Sequence, residues 1–174
     1  GGKFSKLDNA IKQTQKMINE GADIIDVGAF TSKPFSKEIS TSEEKKRLLP
    51  IIKELKKSFP NLFISVDTYR RGIAEESINL GASMINDIYA GEHDPSMIDF
   101  VAKNNIPYIA MHMKGNPLNM QKNITYKNFK EELEGFFLKK RAKLKKLGHT
   151  KLIIDPGFGF GKTIKQNFKM INLI

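Results

Sequence analysis

Five short apolar runs punctuate the chain, at 22–27, 62–66, 84–88, 107–111 and 152–154. They are continuous rather than alternating, the pattern expected of parallel strands covered on both faces, so each is predicted as a buried strand. The stretches between them read as helices. Residues 6–19 carry Leu7, Ile11 and Ile18 on a rough stripe. Residues 42–58 follow Thr41 or Ser42 as a cap and open with Glu43 and Glu44, which suits the helix dipole. Residues 70–80 stop at Gly81, and 95–104 open on Asp94 as a cap and Pro95 in the first turn. Residues 126–147 end at Gly148, and a last helix starts near Ile164. Strand and helix alternate throughout, with no linker and no change of composition. This is the signature of βα units on a parallel sheet in a single domain, 1–174. A doubly wound sheet and a (β/α)8 barrel both fit that alternation.

Composition narrows the class. Hydrophobic residues make up 40% of the chain and charged ones 28%, the balance of an ordinary soluble protein. No apolar run reaches the roughly 20 residues of a membrane helix, so no membrane partner is expected. With no cysteine there is neither disulfide nor thiolate metal site, and a cytoplasmic setting is the default. The net charge of +10 raises nucleic acid as a partner. The densest basic run, however, is Lys139, Lys140, Arg141, Lys143, Lys145 and Lys146 interleaved with Leu138, Ala142, Leu144 and Leu147. That reads as a solvated helix face beside a buried one, and no nucleic acid partner is expected. A positive surface would still attract small anionic substrates.

The chemistry lies where the strands end. The endings are Asp26-Val27-Gly28, Val66-Asp67-Thr68, Asn86-Asp87, Met111-His112-Met113 and Asp155-Pro156-Gly157. Ligands of α/β proteins sit outside the carboxyl ends of the strands. A single Asp there is often only a helix cap, but five polar endings in succession point to a pocket. One histidine and no thiol make a zinc site a poor fit. Carboxylates beside an amide suit a flat heterocycle with an edge of amino, N–H and carbonyl groups, such as a pterin. The segment from Asp155 to Thr163 has three alternating glycines and two phenylalanines. It fails the phosphate-loop pattern at Pro156, and its spacing suits backbone and rings held close to a flat ligand.

In order and spacing, five stretches resemble the dihydropteroate synthase family: Asp26-Val27-Gly28, Ser65-Val66-Asp67-Thr68, Ile85-Asn86-Asp87, Met111 to Gly115 and Asp155 to Lys162. The resemblance implies a (β/α)8 barrel of which about five central βα units are present. It implies condensation of p-aminobenzoate with 7,8-dihydropterin pyrophosphate and release of pyrophosphate. Asp67, Asn86 and Asp155 would hydrogen-bond the pterin ring, Met111 and Phe160 would line its pocket, and Gly159 would allow close approach. Thr31, Ser32, Lys33 and Pro34 stand where the family has a loop over the p-aminobenzoate and pyrophosphate region, with Asp26 supporting that site. Lys33 replaces an arginine, so a planar clamp becomes a point charge, and Phe35 replaces a glycine. No covalent nucleophile is assigned.

A magnesium ion is implied, with its ligand on a strand before Gly1 and no metal ligand within the segment. Further pterin- and anion-binding groups would follow Ile174. A homodimer and sulfonamide sensitivity are implied for the complete protein. About 250 residues are usual for such a barrel, so the segment alone is expected to be inactive. A pterin-dependent methyltransferase with a corrinoid partner and a non-catalytic pterin-binding fragment are the alternatives.

Overall fold

The computed structural model describes residues 7–30, 38–122 and 124–172. All five expected strands form: β1 (Ile24–Gly28), β2 (Phe63–Asp67), β3 (Met84–Asp87), β4 (Tyr108–Met111) and β5 (Leu152–Asp155). Six helices alternate with them: α1 (Leu7–Asn19), α2 (Thr41–Ser58), α3 (Arg71–Asn79), α4 (Ser96–Lys103), α5 (Phe129–Lys146) and α6 (Ile164–Ile171).

Every neighbouring pair of strands is parallel, and the spatial order is β1-β2-β3-β4-β5. A doubly wound sheet reverses its strand order at a switch point, whereas a barrel wall keeps chain order. The helices build one core against one face, where Ile64, Val66, Ile85 and Tyr108 meet Leu48, Ile73, Ile98 and Leu144, all fully buried. Each such side chain contributes roughly 1.5–3 kcal/mol by leaving water. The architecture is five βα units of a (β/α)8 barrel.

The opposite, inner face carries Asp26, Ser65, Asp67, Asn86, Met111 and Asp155 by the two-residue alternation of a strand. Lower on the same face Ile24, Phe63 and Ile153 are 46%, 57% and 45% exposed. The expectation that both faces are covered is thus corrected, since only the outer face is packed by helices. Among the described residues β1 and β5 are the outer strands of the sheet.

Several local expectations shift. Ser40, not Thr41 or Ser42, caps α2: it is extended, and its Oγ accepts the Glu43 N–H at 3.1 Å. Pro95, not Asp94, holds the N-cap position of α4, without a side-chain cap bond; Asp94, one residue earlier, accepts from both the N–H and the hydroxyl of Ser96 and from the Arg71 N–H. In α1, Ile11 and Ile18 pack on the core but Leu7 is exposed, and Ala10 and Thr14 are buried instead. α5 begins at Phe129 with Asn128 as cap, leaving Tyr126 in the preceding loop with its hydroxyl on the Gly161 carbonyl. The buried stripe of α5 is Leu133, Phe137, Lys140 and Leu144, while Leu138 and Leu147 are exposed. Helical periodicity selects those four positions, so Lys140 turns inward to Glu92 and the Phe136 ring.

Candidate substrate-binding site

Register brings the polar endings into rows. Asp67 of β2 lies between Gly28 of β1 and Asn86 of β3, and Met111 of β4 lies beside Asp155 of β5. A Cβ on Gly28 would come within 3.1 Å of the Asp67 side chain, so glycine there makes room for the carboxylate. Asn86 donates through Nδ2 to Asp26 Oδ2 at 3.3 Å, which fixes the direction of its amide. Asp26 therefore joins the Asp67–Asn86 group. Its expected neighbours Thr31, Ser32, Lys33 and Pro34, with Phe35, lie outside the described residues.

Two side-chain oxygens on this face are buried without a hydrogen-bond partner, Asp67 Oδ1 and Asn86 Oδ1. Orphaned acceptors cost about 1–3 kcal/mol each, and native proteins keep them chiefly where a ligand or ordered water completes them. Burial, reinforced by the charges of Asp26, Asp87 and Glu44, pushes the Asp67 carboxyl from 3.8 up to about 7. Burial also raises Asp26, against the hydrogen bonds from Ser65 and Asn86, although its side chain still meets solvent. A carboxylate held reluctantly charged is an acceptor that gains from any ligand bringing N–H groups to it.

Asp155 closes its own turn, accepting the Gly157 N–H at 2.8 Å through Oδ1. Met111 is 2% exposed and packs in a cluster with Tyr69, Ile88 and the half-buried Phe160. Gly159 has positive φ and nothing within 4 Å of where its Cβ would stand, so the space beside it is open. The glycine that close packing requires is Gly157: a Cβ there would lie 2.1 Å from the His112 carbonyl oxygen, at a φ of +71°. Gly157→Ala is expected to destabilise the protein by 3 kcal/mol or more, about the sum of a forced left-handed alanine and a main-chain clash. A melting shift in differential scanning calorimetry checks it.

Two of the polar endings do not join the pocket. Asp87 and His112 stand one residue from Asn86 and Met111, and the strand alternation turns both to the outer side. Asp87 accepts the N–H groups of Tyr89 and Gly91 and the hydroxyl of Tyr108. His112 packs edge-on to Phe136, 5.0 Å between centroids, and burial with the charges of Lys162 and Lys114 pulls it down to about 4. The fourth strand thus supplies Met111, not an imidazole. Sequence reasoning gave no individual role to Ser65, Gly28 or Lys162, and it read Gly157 only as one of three glycines in a loop close to a flat ligand. Lys162 is 3% exposed and donates to the carbonyls of His112, Gly157 and Phe160, each at 2.9 Å. Its one legible signal was its place immediately after the glycine loop.

The barrel wall and its inner polar rows define a ligand-binding α/β enzyme fold. The chain belongs to the pterin binding enzyme family, whose pattern matches residues 1–174. It is 40% identical over 177 residues to a dihydropteroate synthase of Clostridium beijerinckii, covering 99% of this chain and 62% of that protein. It is 41% identical over 178 residues to the mitochondrial folate synthesis bifunctional protein of Arabidopsis thaliana, covering 98% of this chain and 32% of that one. The structure of the Yersinia pestis dihydropteroate synthase with a sulfonamide drug complex superposes with a TM-score of 0.93 at 34% identity. That match covers 99% of this chain and 62% of the Yersinia one. The chain thus spans about three fifths of the single-function relative and a third of the bifunctional one.

Proposed function

We propose that the protein is a dihydropteroate synthase, a transferase of folate biosynthesis that moves a pterinylmethyl group to p-aminobenzoate. The observation that carries this reading is the pair of buried acceptors, Asp67 Oδ1 and Asn86 Oδ1, side by side in the barrel mouth with no protein partner. Asp67 and Asp155 accept from the amino and N–H edge of the ring, and Asn86 presents its carbonyl while Asp26 holds its amide group. Met111 and Phe160 bound the flat faces, and the open side of Gly159 admits the ring closely.

With the ring so held, its CH2 group is left open to attack by the arylamine nitrogen. The C–N bond forms as the C–O bond to pyrophosphate breaks, and the amine proton leaves to solvent. Catalysis by this part of the chain is therefore positioning. Among the described residues no group of three or more His, Asp or Glu side chains could hold a metal ion. A magnesium ion in the full-length protein would be held by residues outside this set, and it would neutralise the charge of the leaving pyrophosphate. Among the described residues no helix is long and apolar enough to cross a membrane. A cytoplasmic setting, a homodimer and competition by sulfonamides for the p-aminobenzoate position belong to the same proposal.

Asp155→Ala tests the reading in the full-length protein. It removes a carboxyl acceptor from the ring edge, and dihydropterin pyrophosphate affinity is expected to fall by about 1.5–3 kcal/mol, roughly 10- to 150-fold. Unchanged affinity in titration calorimetry overturns the assignment.

A further inference from the structure

Lys162 is a buried cation that no step above uses. Its ammonium has three N–H donors, and all three are spent on main-chain oxygens: His112 past the end of β4, and Gly157 and Phe160 in the β5–α6 loop. The loop approaches the 112–114 segment with bare backbone. A Cβ at Gly157 would lie 2.1 Å from the His112 oxygen, and one at Gly161 2.6 Å from the Lys114 oxygen. Those two glycines let the strands' ends come together, and Lys162 ties them.

The residues so tied are the ones that face the ring. The Gly157 and Phe160 carbonyls bracket Phe158 and Gly159, and the Gly157 N–H is the group that Asp155 accepts. Other bonds steady the same loop: Gln121 donates to the Gly159 carbonyl, and the Gly159 N–H goes to Asn167. Burial holds the Lys162 ammonium down to about 8, with the charge of Asp155 opposing. Stripping a cation of water for neutral partners is an expensive way to close a loop, and an apolar residue would serve if closure were all that mattered. What an apolar residue cannot do is fix the direction of three carbonyls at once.

We propose that Lys162 is a positioning residue for the pterin ring, acting through the carbonyls of Gly157 and Phe160 on the placement of Asp155, Gly159 and Phe160. This rests on the pterin-binding reading above. The effect should fall on the pterin substrate, because the tied loop borders its ring.

Titration calorimetry with dihydropterin pyrophosphate, steady-state kinetics with both substrates and thermal unfolding are compared for Lys162→Met and Lys162→Gln in the full-length protein, with Asp67→Asn as control. Lys162→Met should weaken dihydropterin pyrophosphate binding at least tenfold and leave the KM for p-aminobenzoate within twofold. Lys162→Gln, which keeps two donors without the charge, should fall between Lys162→Met and the parent. If Lys162→Met does not fold, Lys162→Gln carries the test, with a threefold or greater loss expected. Pterin affinity within twofold of the parent in the folded variant, while Asp67→Asn loses binding, overturns the inference. Equal loss for both substrates overturns it as well, because that is general loosening. If Asp67→Asn also binds normally, the pterin reading itself fails and this inference falls with it.

Discussion

Replacing Asp67 with asparagine is expected to raise the stability of the ligand-free protein and to lower its pterin affinity. The carboxyl is held up at about 7 by burial and by the charges of Asp26, Asp87 and Glu44, and its Oδ1 has no partner. A raised carboxyl pKa means that the fold binds a proton more tightly than the unfolded chain does. Stability from this group is fully present below pH 3.8 and is lost as the pH rises through about 7. Asparagine never ionises, so the variant escapes that loss. Its advantage over the parent should be slight near pH 4 and reach on the order of 2 kcal/mol at pH 8, once solvent screening at the open pocket is allowed for. Pterin affinity moves the other way. Asparagine offers one neutral acceptor in place of a carboxylate, and the loss should be roughly 10- to 100-fold. In the parent, affinity should fall as the pH drops below about 7, because N–H donors of the ring select the ionised form. Chemical denaturation at pH 4 and pH 8, with calorimetric titrations across the same range, measures both. A variant less stable than the parent at pH 8 would mean that Asp67 is a structural carboxylate rather than one kept for a ligand.

The largest loss of stability from a single charge is expected for Arg70→Ala. Glu44, in the first turn of α2, is fully buried and is met by the Arg70 guanidinium and by the Thr68 hydroxyl, the latter at 2.6 Å. Arg70 also donates to the Ile39 carbonyl at 2.9 Å and lies over the Tyr69 ring. Removing the guanidinium leaves Glu44 charged, dry and short of its partner, which costs about 3–5 kcal/mol. The remedy is specific: Glu44→Gln in the same chain removes the stranded charge, and the double variant should recover more than half of the loss. Urea denaturation of the parent, both single variants and the double variant gives the coupling directly. A loss under about 1 kcal/mol in Arg70→Ala would show that water reaches Glu44 and that the pair is not closed.

The pocket was legible from the strand ends because two rules suffice to find it. Apolar runs of three to six residues mark the strands here, and ligands gather at the carboxyl ends of such strands. Asp67, Asn86, Met111 and Asp155 follow from those rules together with the family's ordered motifs, and the structure aligns them in register. Which of two adjacent residues turns to the inner face did not follow from the strand pattern alone; only the family's motifs chose it. Asn86 and Asp87, like Met111 and His112, differ by one step along a strand, and that step decides between pocket and core. The strand's phase is set by the sheet, not by the local residues.

The sequence by itself determined the alternation of strands and helices, the ends of most elements and the row of polar endings, because periodicity and capping are local. Only the tertiary structure decided the strand order, the covered and the open face, and the fate of the buried charges. Glu43 and Glu44 look alike at the start of a helix, yet Glu43 pairs with Arg47 on the surface and Glu44 is enclosed with Arg70 and Thr68. Lys140 and Lys162 read as two lysines among many, yet one lies against Phe136 and the other ties three carbonyls. The physical reason is common to all of them. The energy of a charge depends on the partners and the water around it, and each of the buried charges has at least one partner from a segment 26 to 50 residues away along the chain.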